Sequence, residues 1–152
     1  MAISATHLIT AVQTTPDVSV YTTASITPGA NQLILATVAS NISGTGDPGT
    51  PTLAGNGLTW VAVVGTPFRT IAAPESRITV FRAMGAAPTA GAVTITFAAT
   101  QSQASWSIAQ FDGVDTGGTN GSAAVVQSAT NRSDSATSLT VNITIASTAT
   151  TG

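Results

Sequence analysis

Ala92-Val-Thr-Ile-Thr-Phe97 reads as one strand of a half-buried sheet. Val93, Ile95 and Phe97 fall on one side and Thr94 and Thr96 on the other, the period of two that an extended backbone imposes. The same period is cleanest in Leu139-Thr-Val-Asn-Ile-Thr-Ile145, where four aliphatic residues alternate with Thr140, Asn142 and Thr144. Working outward, Ser105-Trp-Ser-Ile-Ala-Gln-Phe111 puts Trp106 and Ile108 on one face. Arg77-Ile-Thr-Val-Phe-Arg-Ala-Met84 reads with Ile78, Val80 and Met84 inward and Arg82 as a misfit. Gln32-Leu-Ile-Leu-Ala-Thr-Val-Ala39 is almost continuously apolar and reads as a central strand, and Leu58-Thr-Trp-Val-Ala-Val-Val64 is similar. Residues 18–26 and 122–128 are weaker strand candidates. No stretch of ten residues carries a 3.6 period with caps.

Turn chemistry separates these runs. Thr27-Pro-Gly-Ala30 divides the first two strands, and Gly55-Asn-Gly57 has the left-handed tolerance of a tight hairpin turn. Residues 43–51 and 115–121 are long, polar and glycine-rich, so they read as loops. Short β-branched strands punctuated by Gly and Pro imply an all-β, antiparallel β-sandwich, jelly-roll-like, of about eight or nine strands. Residues 1–17 read as an N-terminal arm and residues 18–152 as the sandwich domain.

Composition narrows the function. The 152 residues include four Arg, no Lys, six acidic residues, one His and no Cys, for a net charge of −2. Charged residues are 7% of the chain, against roughly 25% in ordinary soluble domains. Four Arg cannot build a basic stripe, which argues against nucleic-acid binding. The apolar runs are too short and too broken to cross a membrane as helices. Absence of Cys removes thiolate metal sites and thiol nucleophiles. No basic residue precedes the apolar stretch at residues 8–12, so either the protein is not exported by the secretory route or a signal has been removed, and Met1 favours the first.

Several segments resemble a module of phage and phage-like structural proteins that also occurs in uncharacterised bacterial proteins. They are Ser25-Ile-Thr-Pro-Gly-Ala-Asn-Gln-Leu-Ile-Leu35, Gly55-Asn-Gly-Leu-Thr-Trp60, Phe81-Arg-Ala-Met-Gly85 with Gly91-Ala-Val-Thr-Ile-Thr-Phe97, and Trp106-Ser-Ile-Ala-Gln-Phe-Asp-Gly-Val-Asp115 leading into Gly121-Ser-Ala-Ala-Val-Val-Gln-Ser128. The resemblance covers roughly residues 18 to 145. It implies a virion protein, a capsid decoration or tail-associated β-sandwich. Relatives continue past the position of Ile145 with further strands, so a neighbouring subunit would complete the sandwich here, or the chain is a truncated product.

Catalytic constellations are sparse. A Ser-His-Asp triad would need His7, which lies in the arm, and no Gly-x-Ser-x-Gly elbow is present. Of the carboxylates (Asp17, Asp47, Glu75, Asp112, Asp115 and Asp134), Asp112 and Asp115 lie close in sequence, but they read as turn caps rather than a glycosidase pair. Asp112, Asp115 and Asn120 could offer oxygen ligands to calcium, though not at EF-hand spacing. Trp60 and Trp106 sit in apolar strand patterns and read as core; Tyr21, in a Thr-rich strand, reads as the exposed aromatic on which a glycan would stack. Thr94-x-Thr96 has no regular continuation of the kind an ice-binding array needs. Sequons occur at Asn41, Asn120, Asn131 and Asn142.

The expectation is therefore a non-enzymatic structural protein with no catalytic, cofactor or metal site. It would decorate or cement a capsid or tail through sandwich packing and N-terminal arm contacts. Its partners would be copies of itself and a major capsid or tail protein. The alternative is an extracellular glycan-binding or adhesion module, or a surface filament subunit.

Overall fold

The computed structural model describes residues 2–15, 17–63, 68–70 and 73–130, with Phe68 and Arg69 described by backbone alone. These residues form ten β-strands and no helix. The strands are β1 (Ser4–Gln13), β2 (Val18–Thr22), β3 (Leu33–Asn41), β4 (Thr52–Gly55), β5 (Leu58–Thr59), β6 (Val61–Ala62), β7 (Phe68–Arg69), β8 (Ser76–Ala83), β9 (Thr94–Gln101) and β10 (Gln103–Asp112). The larger sheet has the order β1-β10-β3-β8-β6, with β7 also on β8. The smaller has the order β2-β9-β4-β5. Every pairing is antiparallel. The protein is thus the antiparallel β-sandwich that the alternation predicts, with the three shortest strands only two residues long.

The alternation also builds the core. Val93, Ile95 and Phe97 of the smaller sheet meet Ile34, Ala36, Val38, Phe81, Trp106 and Ile108 of the larger, all nearly inaccessible to solvent. Each large apolar side chain buried there contributes about 1.5–3 kcal/mol. Tyr21 joins them with its ring edge-on to Phe97, centroids 6.0 Å apart. The hairpin at Gly55-Asn-Gly57 forms as expected: Gly55 pairs with Leu58, and Asn56 and Gly57 take φ of 59° and 63°. A Cβ on Gly55 would land on the carbonyl oxygen of Ala92, so only glycine brings this hairpin against β9. Asn56 Nδ2 fastens it further, donating to the carbonyls of Thr89 (3.0 Å) and Gly91 (2.9 Å).

Several expectations need correction. In β8 the inward residues are Thr79, Phe81 and Ala83, while Ile78 is 40% exposed. Both phases of that strand are apolar, and the large Phe81 ring gains more from burial than Ile78 does. Residues 58–64 do not make one central strand. β5 belongs to the smaller sheet and β6 to the larger, so the chain crosses between sheets at Trp60. Residues 122–128 make a turn and irregular chain rather than a strand. Tyr21 is buried, 3% exposed, because it points inward beside Phe97 of the adjoining β9 and meets Trp106 across the core. The run at residues 139–145 lies outside the described residues, as do Asp134, Asn131 and Asn142.

Candidate functional site

Four of the described carboxylates (Asp17, Asp47, Glu75 and Asp115) lie in connections, whereas Arg77, Arg82 and Asp112 lie on strands. Asp47 Oδ1 accepts from the Gly49 N–H at 2.9 Å, and both its oxygens pair with the Arg77 guanidinium. Buried Glu75 accepts the Gly46 N–H at 2.9 Å. Gln101 donates to the Pro48 carbonyl at 2.9 Å. Residues 43–51 are therefore an irregular loop fastened at three places. Asp112 Oδ1 accepts from Gly113 N–H and Asp115 Oδ1 from Gly117 N–H, both at 2.8 Å. These are the turn-capping roles that the short spacing to a following glycine favours.

The sequence-derived site residues separate in space. Asp112 and Asp115 line one groove of about 450 Å³ with Ala30 and Asn31, but Asn120 does not line it; its carbonyl accepts from Arg82 at 3.4 Å. Among the described residues, no three His, Cys, Asp or Glu side chains gather to hold a metal. His7 is on β1, its Nε2 2.7 Å from Thr10 Oγ1, whose hydroxyl donates to Ser107 Oγ at 3.1 Å. Asp112 pairs with Ser4, three residues along the ladder from His7 and on the opposite face. That places the two about 10 Å apart along the strand, with the sheet between their side chains, so they make no triad. Trp106 is buried, and Trp60 is half-buried against the core with its indole N–H directed to the Gly55 carbonyl at 3.4 Å. Burial of Tyr21 disfavours the charged phenolate and raises its pKa.

The register brings together what no local pattern displays. On the outward side of the larger sheet, Ser107, Thr37 and Val80 lie in one cross-strand row. Ser105, Ala39 and Ile78 lie in the next. On the outward side of the smaller sheet, Thr22, Thr94, Ala54 and Thr59 form one row and Val20, Thr96 and Thr52 another. None of these residues is charged. Arg82 and His7 are the ionisable groups on the larger sheet's outward side. The Thr rows were invisible to a search for repeats within one strand because four different strands supply them. The misfit of Arg82 was the available signal for the true phase of β8, since reversing the phase turns it outward.

The edges of the larger sheet complete the surface. Among the described residues β1 is an edge strand, ten residues long, SATHLITAVQ, with a bulge between His7 and Ile9. Leu8 and Ile9 both pack on the core there, while Ile3 and Val12 are 67% and 57% exposed. No protein family, curated protein or solved structure matches the chain.

Proposed function

We propose that this chain is a non-enzymatic structural protein, a subunit of a virus particle that decorates or cements a capsid or tail by packing against copies of itself and against a major capsid or tail protein. The observation that supports this reading is how little charge the outward sides carry: Arg82 and His7 are the ionisable groups on the larger sheet, and the rows of the smaller sheet are neutral. Neutral Thr, Ser, Ala and Val side chains can be covered by a neighbour without stripping water from ions, which is the costly step in burying a surface. Such a surface also has little charge to keep molecules apart in solution. The particle assignment rests on the sequence resemblance to phage structural modules.

The alternative, a glycan-binding or adhesion module or a surface filament subunit outside the cell, shares the neutral surface. Its stacking platforms are less favourable: Tyr21 and Trp106 face the core and Trp60 is half-buried. The direct test is mass spectrometry of particles purified from the source that encodes the chain. The proposal expects the chain in a fixed copy number relative to the major capsid or tail protein. Its absence from intact particles would contradict the assignment.

A further inference from the structure

We infer that β1 pairs antiparallel with β1 of a second copy about a two-fold axis between Leu8 and Ile9, joining two larger sheets into one. This deepens the assembly reading and rests on it. A sheet edge presents a row of unpaired N–H and C=O groups, and proteins ordinarily blunt it by shortness, Pro, charge or a bulge, of which β1 has only the bulge. β1 has ten residues, no proline and no Lys, Arg, Asp or Glu. Its exposed apolar side chain Val12 and the adjoining Ile3 lie towards its two ends.

The bulge selects the register. Before it, Ala5 and His7 oppose Phe111 and Ala109; after it, Thr10 and Val12 oppose Ser107 and Ser105, and all lie on the outward side. Ser4, Thr6, Ile9, Ala11 and Gln13 lie on the inward side. With the axis between Leu8 and Ile9, Ser4 meets Gln13 of the second copy, Ala5 meets Val12, Thr6 meets Ala11 and His7 meets Thr10. Every pair then shares a face, and the two bulges meet at the centre. Shifting the second copy by two residues sets His7 against Leu8 in one direction and Ile9 against Thr10 in the other, pairing opposite faces. A shift of one residue mismatches every pair except the central residue with itself. No pair in the matched register opposes two like charges.

Ten residues per strand span about 33 Å. A ladder of that length with its flanking side chains lies near the small end of specific interfaces, about 1,200 Å² in total. β1 carries no Lys, Arg, Asp or Glu, so no like charges oppose each other across the pair.

Sedimentation equilibrium of the full chain tests this with two variants at exposed positions. In Ala5→Lys/Val12→Lys the matched register places like charges opposite each other twice, and association falls about tenfold. In Ala5→Lys/Val12→Glu the same positions carry opposite charges, and association returns to within about threefold of the parent. Circular dichroism melting curves establish that both variants are folded. Equal weakening in both variants would overturn the register. Self-association indifferent to both would overturn pairing through β1 while leaving the assembly reading standing. A parent chain that stays monomeric from micromolar to several hundred micromolar would overturn both.

Discussion

Neighbouring residues of the larger sheet face two different environments, one apolar and one polar but almost without charge. Trp106, Val38 and Phe81 point inward and are buried. Ser107, Thr37 and Val80, one residue along in each strand, point outward. The inward side is apolar because it closes against the smaller sheet. Folding alone gives no comparable reason for the outward side to lack charge, since water would solvate Lys or Glu there at little cost. The difference teaches that inward residues answer to stability, whereas outward residues answer to association only under the function proposed above.

The largest break of this comparison comes from the inward side. Trp106→Ala removes a ring packed beside Tyr21 and opposite Ala11 of β1. It is expected to cost about 3–5 kcal/mol, measured by urea denaturation, with amide exchange in β1 accelerating most. A loss below about 1 kcal/mol would mean that the edge strand is not held by this core.

The smaller sheet must also close tightly for the inward side to be dry. Gly55→Ala places a methyl group on the Ala92 carbonyl and a side chain at φ 138°. The expected cost is about 3 kcal/mol, read as a lower midpoint in the same titration with an unchanged slope. Thr79 sharpens the comparison in the other direction. Its hydroxyl is fully buried with no hydrogen-bond partner, so Thr79→Val should stabilise by about 1 kcal/mol. Unchanged or lower stability would indicate that the hydroxyl has found a partner in solution.

Tyr21 provides a pH signature of the same inward side. Its pKa is raised above 10.0 by burial, so the folded state favours the neutral phenol. That contribution is complete below pH 10 and is lost as pH rises towards the folded-state value. The chain has no Lys and no Cys, which leaves Tyr21 as the side chain titrating in this range. Thermal melts between pH 9 and 11 should show a decline that Tyr21→Phe flattens. An equal decline in that variant would locate the alkaline sensitivity elsewhere. The smallest stability effect belongs to the outward side. Thr37→Lys and Ser107→Lys should each change unfolding free energy by less than about 0.5 kcal/mol, and a larger change would blur the division between the faces.

Much of this architecture was legible from alternation. Val93, Ile95, Phe97, Trp106 and Ile108 were assigned inward on period alone, and the Asn56-Gly57 turn from its left-handed residues. The phase of β8 was not, because Ile78-Thr-Val and Phe81-Arg-Ala are both credible inward sets until volume and Arg82 are weighed together. Trp60 sits where the chain passes between sheets, a crossing that a continuous apolar run conceals. Tyr21 illustrates the same limit: a Thr-rich strand looks solvated, yet its inward position is set by β9 across the ladder. The candidate surface was the least legible part, since its rows are written across strands far apart in the chain. What composition did convey was the scarcity of charge. The structure places most of the described carboxylates in loops and turns and leaves Arg82 and His7 as the ionisable groups on the larger sheet's outward side.

The most direct test of the central claim, that the neutral outward side of the larger sheet is an association surface, is the molar mass of Thr37→Lys/Ser107→Lys beside the parent chain by sedimentation equilibrium. The account predicts that the parent assembles beyond a β1-paired dimer with rising concentration and that the variant, equally stable, does so at least about tenfold less readily. A parent that never exceeds a dimer, or a variant that assembles as far as the parent, would contradict it.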